Sequence, residues 1–466
     1  MQVNNNNPNQ FLIYSPVAQA RQGGYIVPAS QVQEKKELNP EKLNVNLKAM
    51  NDFYTGKGEF TPLETTSPRT TCAKENEVLM AELNKNDKAL QAYQKLSPPD
   101  KELFQSLTSN KSYGAYIKEK VTGELSGNPN KNIQKMFSEA SMEDRNKITS
   151  QLGKLYFNRA VDMTEEGSPP KIYPEFMVKL LEQGKLGNKD SQGNSLLQNL
   201  HTMQNQQFAA GLDGKEVFQS TCRNITNPDF IHQGNRGTCS VTTVEYIQAK
   251  NHPAEFTRIA SGLTGEQGEV TMKNGDSIKR PEGLLKDDGS LRTSVDRLYQ
   301  ASMMQYAKGD KNISYDNEKN RFTAKVLGSF RINAGEGIND KQLNKVLNAV
   351  LPYESVQIDY KGNIKKAEEE LSGALSWGKP VPVCLKWDGK EGKHEVALEK
   401  MDEEFVYVRN PHGNLDDGKE KDGRAIKREA LHDNDPELSG GHVKISKDEF
   451  YKKLVDYAIP MEKNLR

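Results

Sequence analysis

The stretch Ile231-His-Gln-Gly-Asn-Arg-Gly-Thr-Cys-Ser-Val-Thr-Thr-Val-Glu-Tyr246 decides how the rest of the chain is read. Gly234 and Gly237 allow a sharp turn and a close approach of backbone to its neighbours. Val244 and Ile247 then offer an apolar strip for a helix. Cys239 is thereby delivered to the start of that helix. Unpaired N–H groups and the macrodipole favour the thiolate there, which is the reactive form of the side chain. A nucleophile so placed needs a base.

The base is sought in Gly392-Lys-His-Glu-Val-Ala-Leu-Glu-Lys-Met-Asp-Glu-Glu-Phe-Val-Tyr-Val-Arg-Asn-Pro-His-Gly413, which reads as two strands joined by a polar turn. Val396 and Leu398 alternate onto one face, and Phe405 to Val408 is β-branched and aromatic. A turn centred on Asp402 pairs residues whose numbers sum to 804 and sets His394 opposite Asn410. Opposed side chains in an antiparallel pair have Cβ atoms about 4.5–5.5 Å apart, close enough for an amide to orient an imidazole. An error of one residue in the turn breaks this registry. His412 is a rival base, and the hairpin argument favours His394 over it.

Gln233-Gly-x-x-Gly-x-Cys239, His394 and Asn410-Pro-x-Gly413, in this order, resemble the papain-like cysteine peptidases, the calpain branch above all. The resemblance spans roughly residues 216–460 and rests on three short motifs. It implies that Cys239 attacks and that Gln233, six positions earlier, helps the Cys239 N–H stabilise an oxyanion. It further implies that His394 moves the proton and that Asn410 orients His394. Papain carries a cysteine where this chain has Arg236, so that disulfide cannot form here. Both groups have tryptophans where this chain has Ser240 and His412, which predicts a His394–Asn410 pair less shielded from water.

Composition sets the outer limits. At 466 residues the chain suggests two or three domains. Lys plus Arg and Asp plus Glu are 64 each, so no global charge argues for a nucleic-acid partner. Hydrophobic residues make up 35%, which leaves part of the chain outside any core. Cys72, Cys222, Cys239 and Cys384 lack the spacing of a disulfide scaffold or zinc motif and read as mostly free thiols, Cys384 as core. No apolar run is long enough to span a membrane and no Sec-type signal opens the chain. The expectation is a soluble protein, cytoplasmic or exported by another route, with no cofactor.

Along the chain, residues 1–72 are rich in Asn, Gln, Lys, Thr and Pro and read as a mobile leader and linker, a segment that a secretion chaperone could recognise. Residues 73–215 carry helical stripes and read as a small helical bundle that binds a partner or acts as a prosegment. The stripes include Leu79 and Leu83, Leu103 and Leu107, Ile133 and Phe137, Ile148 and Leu152, and Met177 and Leu181. Residues 216–466 read as the catalytic domain, with helices following the nucleophile and hairpins carrying His and Asn. His252-Pro253 ends the nucleophile helix, Val381 to Leu385 begins a strand near an edge because of Pro382, and Phe450 to Tyr457 forms a last helix. The acidic turns Asp287-Asp-Gly289 and Asp416-Asp-Gly418 lack the closing glutamate of a calcium loop.

The fold class expected is therefore α+β, a two-lobed papain-like catalytic domain behind a helical bundle and a leader. The leading function is a thiol endopeptidase acting on protein or peptide substrates through Cys239, His394, Asn410 and Gln233, with no metal at the site. The same acyl intermediate serves deamidation, transamidation or isopeptide cleavage. A peptide-binding module without catalysis is the alternative from another class.

Overall fold

The computed structural model describes residues 70–116, 160–163, 168–309, 313–327, 330–333, 337–387, 392–413, 426–431 and 441–461. The leader up to residue 69 and the stripes around Ile133 and Ile148 lie outside the described residues. The chain is α+β. Its first helices are α1 (Thr70–Leu83), α2 (Asp87–Gln94) and α3 (Pro98–Leu107); the short strands β1 (Val161–Asp162) and β2 (Lys171–Ile172) follow. Next come α4 (Pro174–Glu182), α5 (Leu196–Asn205) and α6 (Gly214–Thr226). Helix α1 thus starts three residues inside the segment read as a linker.

Local chemistry sets these boundaries. Ser97 accepts from the Asp100 N–H while Pro98 occupies the first helical position, where its missing N–H costs nothing. Ser195 and Gln198 form a reciprocal capping box that starts α5.

The central helices are α7 (Cys239–Asn251), α8 (Pro253–Thr264), α9 (Ser294–Lys308) and α10 (Asp340–Val350), with the hairpin β3 (Glu269–Thr271) and β4 (Ser277–Lys279) after α8. A three-stranded sheet of β5 (Ile313–Asp316), β6 (Arg321–Leu327) and β7 (Phe330–Asn333) lies between α9 and α10 in sequence. Helix α7 is buried from Val241 to Ala249 on every side. It touches α8, α9 and α10 and also the strand that carries His394. One apolar core runs from Leu79 in α1 through Met177, Leu200, Phe218, Ile247 and Leu298 to Tyr353, so the early helices share a core with α7. His252 caps α7, and Pro253 restarts the chain as α8 rather than ending helical structure. Leu291 stands outside α9 with a positive φ and is exposed, so the helical stripe starts at Val295.

The remaining elements are β8 (Ser355–Asp359), α11 (Ile364–Leu375), β9 (Val381–Lys386), β10 (Lys393–Met401), β11 (Phe405–Arg409), β12 (Glu429–Ala430), β13 (His442–Ser446), α12 (Lys447–Lys453) and β14 (Leu454–Pro460). Seven of these strands form one antiparallel sheet in the order β12-β13-β11-β10-β9-β14-β8. A second apolar core, with Val383, Leu385, Val396, Leu398, Val406, Val443, Phe450 and Tyr457, covers one face of it.

Two expectations are corrected here. Strand β9 is interior, and its ladder to β14 ends at Val383↔Tyr457, next to Pro382, so the missing N–H falls where that ladder stops. The segment read as a last helix leaves α12 at Leu454 and becomes β14, which fills the place between β8 and β9. Among the described residues no helix is long and apolar enough to cross a membrane.

Candidate functional site

The turn before Cys239 is held on several sides. Gly234 has φ +57°, and a Cβ there would fall 1.9 Å from the Ser290 carbonyl oxygen, so only glycine fits. Arg236 donates to the Asp288 backbone oxygen at 2.8 Å and lies beside its carboxylate. The Gly237 N–H donates to Asn320 Oδ1 at 2.7 Å. Asp288 also pairs with Arg292 and accepts from Asn317, so the acidic turn considered for calcium is committed to side-chain cations and amides. The Gln233 N–H donates to the Pro411 carbonyl at 2.8 Å, which ties the turn to the loop after Asn410.

Cys239 is the first residue of α7. Thr238 precedes it without capping the helix, because its hydroxyl donates to Gln300 Oε1 at 2.8 Å instead. Helix α7 packs on β10, the strand that carries His394. Thr243 Oγ1 donates to the Glu395 carbonyl at 3.3 Å and ties α7 to β10.

His394 is buried, 7% exposed, and Asn410 is fully buried. Asn410 Oδ1 accepts the His412 backbone N–H at 3.1 Å, and an N–H can only donate, so the oxygen of the amide must stand at that position. The same oxygen lies 2.7 Å from His394 Nε2, so Nε2 carries the hydrogen and donates. Nδ1 is then the nitrogen with the lone pair in the neutral ring. The Asn410 backbone is fixed as well. Its N–H donates to the Gly441 carbonyl at 2.9 Å, and a Cβ on Gly441 would fall 2.4 Å from the Asn410 oxygen.

The register that brings His394 and Asn410 together differs from the sequence expectation. Ala397 pairs with Arg409 and Leu398 with Val408, sums of 806 rather than 804, and a bulge at Glu399 moves the pairing again before the turn. An even displacement keeps every side chain on its face. Asn410 thus lies beyond the last paired residue, Arg409, and its side chain meets His394 diagonally.

His412 reaches the same amide through its backbone N–H. Its ring stacks on that of His394, centroids 4.8 Å apart and 17° from parallel, while Trp387 packs on His394 at 5.1 Å. The His394–Asn410 pair is therefore covered, contrary to the expectation drawn from the absent tryptophans. Trp387, from the end of β9, supplies the indole from a different position.

Burial raises the Cys239 thiol pKa more than its local donors, led by the Glu395 N–H and the Ser240 hydroxyl, lower it. Burial thus acts against the thiolate that the helix start favours. Gln233 is buried; its Nε2 donates to the Arg236 carbonyl at 2.5 Å and its Oε1 has no partner. The second N–H of that amide is the one that could serve an oxyanion.

Two groupings escaped the sequence reading. His442 bridges Asp229 and Glu399 at 2.9 Å each, with Lys250 and Tyr246 also on Glu399 and Arg409 stacked over Tyr246. Cys384, Glu395 and Asp456 gather beneath α7. Neither set has a sequence spacing that announces it, since its members come from separate elements that only the fold brings together.

No family model matches this chain, and no curated protein and no solved structure matches it.

Proposed function

We propose that the chain is a cysteine peptidase of two-lobed papain-like build, with the α7 helices and the seven-stranded sheet as the lobes. Three features support this reading: a cysteine at a helix start, a buried histidine whose Nε2–H is held by an asparagine oxygen, and the packing of the cysteine's helix on the histidine's strand. The His394–Asn410 bond, with its amide orientation fixed by the His412 N–H, carries most of the weight.

In this mechanism His394 Nδ1 takes the thiol proton as the Cys239 sulfur bonds to the substrate carbonyl carbon. The oxyanion receives the Cys239 N–H and the remaining Gln233 N–H. Collapse breaks the C–N bond, and His394 passes its proton to the departing amine. Water then attacks the thioester, giving a proton to His394, and the carboxylic acid leaves as the thiol is restored. Asn410 keeps the ring in the tautomer that both steps require.

The test is hydrolysis of denatured protein and of a peptide panel by the full chain and by Cys239→Ala. Loss of about 10⁴-fold or more with the fold retained is expected. Equal hydrolysis by both proteins overturns the reading.

A further inference from the structure

Strands β9, β10 and β14 carry Cys384, Glu395 and Asp456 at one level of the sheet. Cys384 pairs directly with Glu395 on one side and with Asp456 on the other, so all three side chains emerge on the face turned to α7. Asp456 reaches that face through a bulge. The register of β14 slips between Leu454 and Asp456, and without the slip Val455 would occupy the rung.

The three residues are 5%, 4% and 1% exposed, and one ligand atom from each lies within 4.8 Å of the others. Glu395 Oε1 and Asp456 Oδ2 are buried without a hydrogen-bond partner. Gln357, whose Nε2 donates to Asp456 Oδ1 at 2.5 Å, has its own Oε1 orphaned beside them. Two carboxyls and a thiol with orphaned oxygens are costly to bury. Lys393, a cation that acts on all three, stands exposed at the start of β10.

We infer that Cys384, Glu395 and Asp456 form a binding site for a zinc-class divalent cation, which ties the strand carrying His394 to its two neighbours. A thiolate with two carboxylates suits Zn²⁺ and excludes the oxygen-seeking Mg²⁺ and Ca²⁺. In tetrahedral zinc sites the bonds are about 2.0–2.3 Å, which sets ligand atoms roughly 3.5 Å apart. Contraction of the rung by about 1 Å meets that requirement. Three protein ligands leave the fourth position to water or to Gln357 Oε1. Binding releases any protons held by the thiol and carboxyls to solvent, and no redox change is involved.

The test uses the full chain carrying Cys239→Ala, so that the catalytic thiol cannot act as a ligand and the result is independent of peptidase activity. After chelation and removal of the chelator, calorimetric titration with zinc chloride is expected to show one site per chain. Cys384→Ser and Asp456→Asn should each weaken it beyond the roughly tenfold that loss of an outer-shell partner costs. Glu395→Gln serves the same comparison should Asp456→Asn not fold. Cobalt chloride should give a thiolate-to-metal absorption that Cys384→Ser abolishes. No zinc binding by the Cys239→Ala chain, or unchanged binding and an unchanged cobalt spectrum in the folded variants, overturns the inference.

Discussion

The two faces of β9, β10 and β14 are built on opposite principles. One presents Val383, Leu385, Val396, Leu398 and Tyr457 to an apolar core. The other presents Cys384, Glu395 and Asp456, beside the small residues Ala397 and Ala458 that join the helical core. Burial stabilises the first face in proportion to the apolar area removed from water. On the second, burial pushes the Glu395 carboxyl well above its usual range, with Asp456 adding to it, and raises Asp456 to about 6. Stability is built on one face, and reactive groups are sheltered on the other. His394 pairs with Leu385 and so shares the apolar face, while the next residue, Glu395, lies on the other.

If that division is right, truncating the apolar face should have the largest effect on stability. Leu398→Ala removes a fully buried side chain and should cost about 2–5 kcal/mol by chemical denaturation. Glu395→Gln in chelator should leave stability unchanged or raised, because an amide of the same shape cannot ionise beside Asp456. A loss from Glu395→Gln as large as that from Leu398→Ala would erase the contrast.

Activity should divide in the same way. Asn410→Ala should lower kcat/KM by about 100-fold through a misplaced imidazole. His412→Ala should cost only about 2–10-fold, the worth of one ring contact. A larger loss from His412 than from Asn410 would make His412 the principal holder of the ring.

The smallest effect concerns the charged cluster around His442, which pairs with Arg409 next to Asn410. Burial pushes His442 down, but the hydrogen bonds and charges of Asp229 and Glu399 prevail and raise it to about 9; Glu399 falls to about 2. Lys250, Tyr246 and Arg409 face the same group. A raised histidine pKa adds stability that is fully present below about 6.5 and is lost as pH rises through about 9. Melting curves from pH 6 to 10 should therefore show a decline in the parent that is shallower in His442→Gln. Parallel curves would mean that the pair adds nothing.

The proposed trio of Cys239, His394 and Asn410 was legible because a turn, a hairpin and their order along the chain are local signals. Its register was not. The bulge at Glu399 has no sequence mark, and His394 met Asn410 only because the displacement was even. Strand β14 was misread because Phe450, Tyr451, Leu454 and Tyr457 also fit helical spacing; the open edges of β8 and β9 decide for a strand. The Cys384–Glu395–Asp456 rung was invisible for a similar reason, as its members become neighbours only through pairing.

Alkylation of the four thiols by iodoacetamide, followed by mass spectrometry in the parent and in His394→Ala, addresses the central relationship most directly. The account predicts that Cys239 is modified ahead of Cys72, Cys222 and Cys384, and that its rate falls sharply when the imidazole is removed. Equal rates at Cys239 with and without His394 would contradict it.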